Sequence, residues 1–454
     1  MTGAPALPGF GEALKTWAFI GCVNFGGPAG QIALMHRILV EEKKWISEAR
    51  FFHALNYCML LPGPEAQQLA TYVGWLMHGV RGGLAAGLLF ILPGALVMLG
   101  LSLLYVTHAD RPEVAAVFWG IKAAVLAIVI DAILRIARRA FTNRLSLVIA
   151  VAAFAALFLF NVAFPLVILA AGLAGFAGAA LQAEEHDAAD RQTGHRMTHA
   201  VDAALAQGLL VHTRTTTRQT FTTVALWLAI WLMPVGLLLA AVGQEHVLAR
   251  LAVFFSTMSV VTFGGAYAVL AYVAQEAVAT HQWLNAAEMM DGLALAETTP
   301  GPLILVLQHV GFLAASRHAG LDPLLAGLAG AAVTLWVTFA PSFLWIFAGA
   351  PYAERLRGNR ALSGALAAIT AAVVGVIANL AVWFGLHVLF AKVDRVVAGP
   401  FVLQVPDMST LDPMALVLAF AATVALTRAR MPIPALLFVS AGAGLLLGLV
   451  RAAS

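Results

Sequence analysis

Charge is what this chain has least of. Asp, Glu, Lys and Arg supply 11% of its 454 residues, where a soluble globular domain carries about a quarter. With 61% hydrophobic residues and a mean hydropathy of +0.89, that deficit excludes a water-soluble globule and points to an all-α polytopic membrane protein. Cysteine is nearly absent. Cys22 and Cys58 both lie in apolar segments without partner-like spacing, so neither a disulfide framework nor a cysteine metal site is expected, and both read as small buried residues. No basic region precedes the first apolar stretch, since Lys15 arrives late, and a cleaved signal peptide is not expected. Neither His-Glu-x-x-His nor Gly-x-Ser-x-Gly occurs, which leaves an intramembrane enzyme, the reading from another functional class, without its nucleophile or ligands. The basic residues, with a net charge of +3 and an isoelectric point near 9.0, sit in short clusters between apolar runs, as the positive-inside rule requires. Nucleic acid is therefore not an expected partner, and the lipid bilayer is.

What the chain does have is breaks inside apolar segments. Residues 7–24 are helix-compatible but fall short of the ~20 residues a crossing needs, and they end at Phe25-Gly26-Gly27-Pro28. A second short piece runs over residues 29–40, followed by a charged loop. Residues 51–77 form two further pieces separated by Leu61-Pro62-Gly63-Pro64. Glycine and proline forbid an uninterrupted helix at these places, and irregular backbone at membrane depth is tolerated only beside protein or a wet cavity. Full spans are expected at about 84–106 and 114–136. Arg135, Arg138, Arg139 and Arg144 then form the strongest basic cluster, placed in the cytoplasm. Residues 145–182 suffice for two crossings, 221–242 for one, and 414–426 with its flanks and 432–450 for two more. The polar stretch 182–218 has the makeup of a flexible linker. Its histidines, His186, His195, His199 and His212, lack a tight ligand spacing, and no metal site is expected there.

The breaks recur. Phe25 and Phe263, Trp45 and Trp283, and Pro62-Gly63-Pro64 and Pro300-Gly301-Pro302 are each 238 residues apart. Gly74 matches Gly311 at 237, and Pro93 matches Pro341 at 248, which implies an inserted helical stretch near 312–330. The chain is a duplicated unit. Charges at matched places change sign: His36, Arg37, Lys43 and Lys44 in one copy face Gln275, Glu276 and His281 in the other, and Asp110, Arg111 and Glu113 face Arg355, Arg357 and Arg360. Arg81 and Arg317 do not discriminate. With three crossings between the copies, the reversal reads as inverted-topology internal repeats with broken or re-entrant helices, the recurrent plan of secondary transporters. The expected organisation is a first transporter repeat over 1–144, linking spans with a cytoplasmic polar linker (about 183–218) over 145–247, a second repeat over 248–391 and C-terminal spans over 392–454.

Where a helix restarts after a break, its first N–H groups lack intrahelical partners and the helix dipole places positive potential there. Several such ends brought together suit an anion, and an oxyanion best. The expected binding set is Asn24, Gly26, Gly27, Pro28, Gln31, Pro62, Gly63, Pro64, Gln67 and Lys122, with Thr262, Gly264, Gly265, Thr298, Thr299, Pro300, Gly301 and Pro302 from the second copy. Gln68 and Gln308 add amides nearby. A single Gly-Gly-Pro is ordinary close packing in membrane helices; four breaks in two matched pairs are not. Buried carboxylates are expensive in lipid, so Glu65 and Glu297, flanking the two Pro-Gly-Pro turns, are the candidates for coupling. Asp131 is as readily explained by an i,i+4 pair with Arg135. No cofactor is expected.

The segments FGGPAGQIALMHRILVEEKKWIS, LLPGPEAQQLATYVGW, TFGGAYAVLAYVAQEAV and ETTPGP resemble the chromate ion transporter family in its long, two-domain form, over roughly residues 8–390. The resemblance implies efflux of chromate from the bacterial cytoplasm, driven by the proton motive force, by a multi-pass protein of the inner membrane, with sulfate as the isosteric competitor. A sulfate or other oxyanion permease stays open beside it, and so does a homodimeric assembly. One departure stands out. Ala266 occupies the place of Pro28, so the two half-sites are not equivalent.

Overall fold

The structure, a computed structural model, describes residues 7–25, 27–109, 111–141, 143–181, 199–213, 215–263, 266–352 and 360–453. Among these the chain forms seventeen α-helices and one β-hairpin. Five stretches are long and apolar enough to cross a membrane: Glu65–His108, Pro112–Arg138, Thr217–Val242, Pro323–Tyr352 and Ser363–Leu389. The protein is a multi-pass helical membrane protein.

The first matched stretch opens with α1 (Phe10–Val23) and α2 (Gly27–His36), the latter running into a π-helical turn, Arg37–Glu42. Ser47 then caps α3 (Glu48–Met59), accepting from Arg50 N–H. The next helix, α4 (Glu65–His108), is interrupted by non-helical backbone at His78 and by Gly79 at φ +60°. It doubles back there. A Cβ on Gly74 would touch Gly82 and Ala86, residues that in a straight helix would lie roughly 12–18 Å away at 1.5 Å per residue. The hairpin closes because glycines let its two arms meet. α5 (Pro112–Ala140) follows, with Pro112 in the first turn, where a missing N–H costs nothing. α6 (Arg144–Phe158) starts in an Asn143–Ser146 capping box, and α7 (Phe164–Leu181) completes the stretch.

Between the two stretches lie α8 (Ala200–Ala206) and the peripheral span α9 (Thr217–Val242). The histidines His186 and His195 of the polar stretch are outside the described residues. Residues 199–213 of that stretch are folded against the first copy. Val201 N–H bonds Trp45 O at 2.9 Å, and Arg50 Nε lies 2.8 Å from Asp202 Oδ1.

The second stretch repeats the first in detail. α10 (Val247–Val261) and α11 (Ala266–Gln275) lead into a second π-helical turn, Glu276–Thr280, then α12 (Ala286–Thr298), a 3₁₀ turn over Leu303–Leu305, α13 (Val306–His318) and α14 (Pro323–Gly349). Lys44 at φ +54° matches Gln282 at +52°, and Gly63 at +112° matches Gly301 at +101°. The bond Trp45 N–H to Leu39 O matches Trp283 N–H to Ala277 O. Gly311 meets Gly330 and Thr334 as Gly74 meets Gly82 and Ala86. The inserted residues therefore lengthen the α13–α14 hairpin, replacing the tight turn at Gly79 with the loop between His318 and Pro323.

α15 (Arg360–Leu389) pairs with the first copy's α6 and α7, where Gly175 sits on Gly364 and Gly375 on Ala150. The hairpin β1 (Val393–Ala398) and β2 (Phe401–Pro406) then turns at Gly399, and Val402 N–H bonds Leu159 O. α16 (Pro413–Thr427) and α17 (Ile433–Ala453) pack on α5, with Gly120 against Gly444. Each copy's closing pair thus leans on the other copy's long helix. Two large apolar cores result, and both draw residues from both stretches.

Candidate functional site

The breaks meet, and they meet across the copies. Gly301 N–H donates to Asn24 O at 2.9 Å, and Gly63 N–H donates to Thr262 O at 3.2 Å. Asn24 and Thr262 are the C-caps of α1 and α10 and are themselves 238 residues apart. Each Pro-Gly-Pro turn is therefore seated on the helix end of the opposite copy, with the same bond in both places. Positive φ is what requires glycine here. At +112° and +101° an L side chain is strained, and a Cβ would also press on Ser342 Oγ and Gln68 Nε2 from Gly63, or on Leu305 from Gly301. Gly94 of α4 lies against Pro300 so closely that a Cβ would run into its carbonyl oxygen.

Side chains then lock the turns. Gln31 Nε2 donates to Gly301 O at 2.6 Å, so the Gly301 peptide is held at both its N–H and its neighbouring carbonyl. Gln68 Nε2 donates to Pro62 O at 2.7 Å, Gln67 Nε2 to Thr71 Oγ1 at 2.9 Å, and Gln308 Nε2 to Ala95 O at 3.0 Å. All four amides are buried, as is Asn24. Among the described residues the side-chain oxygens of Gln31, Gln67, Gln68 and Gln308, and both amide atoms of Asn24, have no protein partner. Buried polar groups are costly unless satisfied, and this cluster collects at the crossing.

The threonines behave differently from what the sequence leads one to expect. Thr262, Thr298 and Thr299 each donate their hydroxyl back to their own helix, to Met258, Leu295 and Ala296 carbonyls. Their hydrogens are committed, which leaves acceptor capacity and no free donor. The first main-chain N–H groups of α2, α4 and the Leu303–Leu305 turn lack intrahelical partners, and Asn24 Nδ2 has no protein partner among the described residues. Gly27 has open space around it and φ +68°, and Pro28 follows within the first turn of α2. Pro62 and Pro64 flank Gly63, and Pro302 caps the 3₁₀ turn. Gly26, Gly264 and Gly265 are outside the described residues.

The carboxylates sit beside the turns. Glu65 opens α4 immediately after Pro64, and Glu297 near the end of α12 accepts from Tyr267 Oη at 2.9 Å. The copies are unequal. At the positions matching Gln31, Gln67 and Gln68 the second copy has Val269, Leu305 and Val306, and Glu65 is matched by Leu303. Lys122 is placed elsewhere: its Nζ lies 3.1 Å from Asp291 Oδ1, about 10 Å along α12 from Thr298 at the helical rise. Sequence reasoning singled out this lysine and missed its partner, as it missed Tyr105, Ser102 and His309 around the pair. The available signal was Asp291 itself, one acidic residue in the otherwise apolar run before Glu297. Asp131 does pair with Arg135, at 2.8 Å.

Comparison with known proteins bears on this arrangement. No solved structure matches the chain. A chromate transport protein of Pseudomonas aeruginosa is 33% identical over 363 residues, 79% of this chain and 76% of that protein. One from Cupriavidus metallidurans is 27% identical over 359 residues, 79% of this chain and 78% of its own. A probable chromate transport protein of Synechococcus elongatus is 27% identical over 376 residues, 81% of this chain and 82% of its own. The family model described as chromate transporter matches residues 11–176 and 249–446, two stretches that start 238 residues apart and take in the closing pairs α6–α7 and α16–α17. The chain belongs to the chromate transporter family, a family of membrane transporters rather than enzymes.

Proposed function

We propose that the protein exports chromate from the cytoplasm across the bacterial inner membrane, driven by the proton motive force, with the anion held at helix N-termini where the two repeats meet. The observation that carries the reading is the exchanged pair of bonds, Gly301 to Asn24 and Gly63 to Thr262. Through it, each copy sets a Pro-Gly-Pro turn against a helix end of the other, and N–H groups and helix dipoles at such turns favour an anion without a buried cation. The names of the relatives support chromate as the substrate. The sign reversal of charges at matched loops supports inverted repeats, with alternating access arising as one copy rocks against the other. Glu65 and Glu297 flank the turns in sequence, and Glu297 is held by Tyr267.

Everted membrane vesicles test this. Energised vesicles are expected to accumulate chromate, to lose it on addition of a protonophore, and to fail when Gly301→Leu, expressed at equal level, fills the crossing. An absence of energised uptake would end the export reading. A sulfate or other oxyanion permease is the second reading, favoured by one observation: main-chain N–H donors recognise charge and shape that tetrahedral oxyanions share. Sulfate competition in the same vesicles separates the two.

A further inference from the structure

One buried polar group has no part in the crossing. Asp291 is 5% exposed; Lys122 Nζ stands 3.1 Å from its Oδ1 as an ion pair, and Tyr105 Oη donates to its Oδ2 at 2.9 Å. The ring of Tyr105 stands edge-on to His309 at 5.2 Å, and His309 Nδ1 lies 2.9 Å from Ser102 Oγ. Ser102 Oγ donates to Met98 O, so the imidazole N–H is the donor to Ser102, and Nε2 has no partner among the described residues. Gly292 makes room for this ring, since a Cβ there would press on His309 Cδ2.

The membership of the network matters more than its burial. Lys122 comes from α5 and Tyr105 and Ser102 from the outgoing arm of α4, all in the first copy. Asp291 and His309 come from α12 and α13, the two short helices that carry the Pro300-Gly301-Pro302 turn between them. The ion pair is thus a tether between the long helices of one copy and the broken helices of the other. It has no counterpart: the positions matching Lys122 and Asp291 are Thr370 and His53. A buried pair whose partner is neutralised leaves an uncompensated charge, so a proton on Asp291 would leave Lys122 without its counter-charge.

Resting on the export reading above, we propose that Asp291 is the carboxylate that exchanges the driving proton, and that its protonation releases Lys122 and frees the α12–α13 turn from α5. The charged and titratable groups facing Asp291 among the described residues are Lys122 from α5, Tyr105 from α4, His309 from α13, and Glu288 one turn back on α12. Glu288 is held by Arg317 from α13 at 2.7 Å, nearer the surface. α15 and α17 also pack on α12, and their charged or titratable residues, Arg360, His387 and Arg451, lie near the helix ends.

The test uses the full chain in proteoliposomes, with two readouts on the same preparation: chromate accumulation driven by a pH gradient, and chromate counterflow without one. Asp291→Asn is expected to reduce accumulation to the level of de-energised liposomes while counterflow persists, and Asp291→Glu to restore accumulation. Asp291→Asn that accumulates chromate like the wild type overturns the proposal. Should that variant lose counterflow as well, Tyr105→Phe decides. Losing a donor to the charged carboxylate, it is expected to shift the pH profile of accumulation toward alkaline, and an unmoved profile overturns the proposal. Wild-type protein that shows counterflow but no gradient-driven accumulation would instead contradict the export reading itself.

Discussion

Gly63 and Gly301 occupy backbone that other residues avoid, at the two points where one copy's turn passes the other copy's helix end. Replacing Gly301 with alanine adds left-handed strain of about 1–3 kcal/mol and a contact on Leu305 Cδ1 at 3.0 Å. Gly63→Ala carries similar strain and presses on Gln68 Nε2 at 3.1 Å and Ser342 Oγ at 3.2 Å. Thermal unfolding in detergent should show both variants below wild type, with Gly301→Ala at least as low. A melting temperature at the wild-type value for either contradicts the assigned conformation. Gln31→Leu leaves the Gly301 carbonyl buried without its side-chain donor, a loss of about 1–3 kcal/mol, and chromate uptake should fall with it. At this scale the sequence was half legible. Glycine and proline announce where the backbone must turn, because the reason is intrinsic to those residues. Their partners lie 199 to 277 positions away, from Gly63–Thr262 to Asn24–Gly301, and no local signal names them; Lys122 showed itself as a costly charge without showing Asp291.

Elements are where the duplication becomes mechanical. The two arms of α4 make different contacts: the arm before Gly79 packs on α3, with Tyr72 against Tyr57, and the arm after it reaches the second copy's turn at Pro300. Gly94→Leu should therefore abolish transport while leaving the far end of the helix unchanged, and protein with normal transport would show that the contact is dispensable. Outside the membrane, α8 is docked through Asp202. Burial disfavours its charge, but hydrogen bonds from Arg50 and Ser47 outweigh that and hold the carboxyl below its usual range. A depressed folded value means the stabilisation is complete above the unfolded value, near 4, and is lost as pH falls through the folded one. For a partly exposed pair this amounts to about 1 kcal/mol or less. Asp202→Asn should speed protease cleavage near α8 at neutral pH, and the difference from wild type should vanish in strong acid; a difference that persists there contradicts the assignment. The helices and breaks were legible from apolar length and turn residues. The division of 51–77 from the span at 84–106 was legible as well; the close packing of the two arms through Gly74, Gly82 and Ala86 was not, because it is a contact between segments and leaves no local signature.

For the whole molecule, the pattern is exchange: turns seat on the opposite copy's breaks, and α6–α7 and α16–α17 lean on the opposite copy's long helix. Matched offsets in the sequence revealed two copies, since identical turns need identical residues. Their interlocking is a property of packing between distant segments and leaves no periodic trace. If the copies are inverted, Lys43→Cys and His281→Cys, in a chain whose Cys22 and Cys58 are replaced by serine, should be labelled by an impermeant thiol reagent from opposite sides of the membrane; labelling from one side contradicts inversion. The central claim is that the crossing holds the anion through main-chain N–H groups. The measurement that meets it most directly is an anomalous-scattering map of the chromate-bound protein, in which a chromium peak should lie within hydrogen-bond reach of the helix starts around Gly63 and Gly301. A peak at Lys122, with none at the crossing, would contradict it.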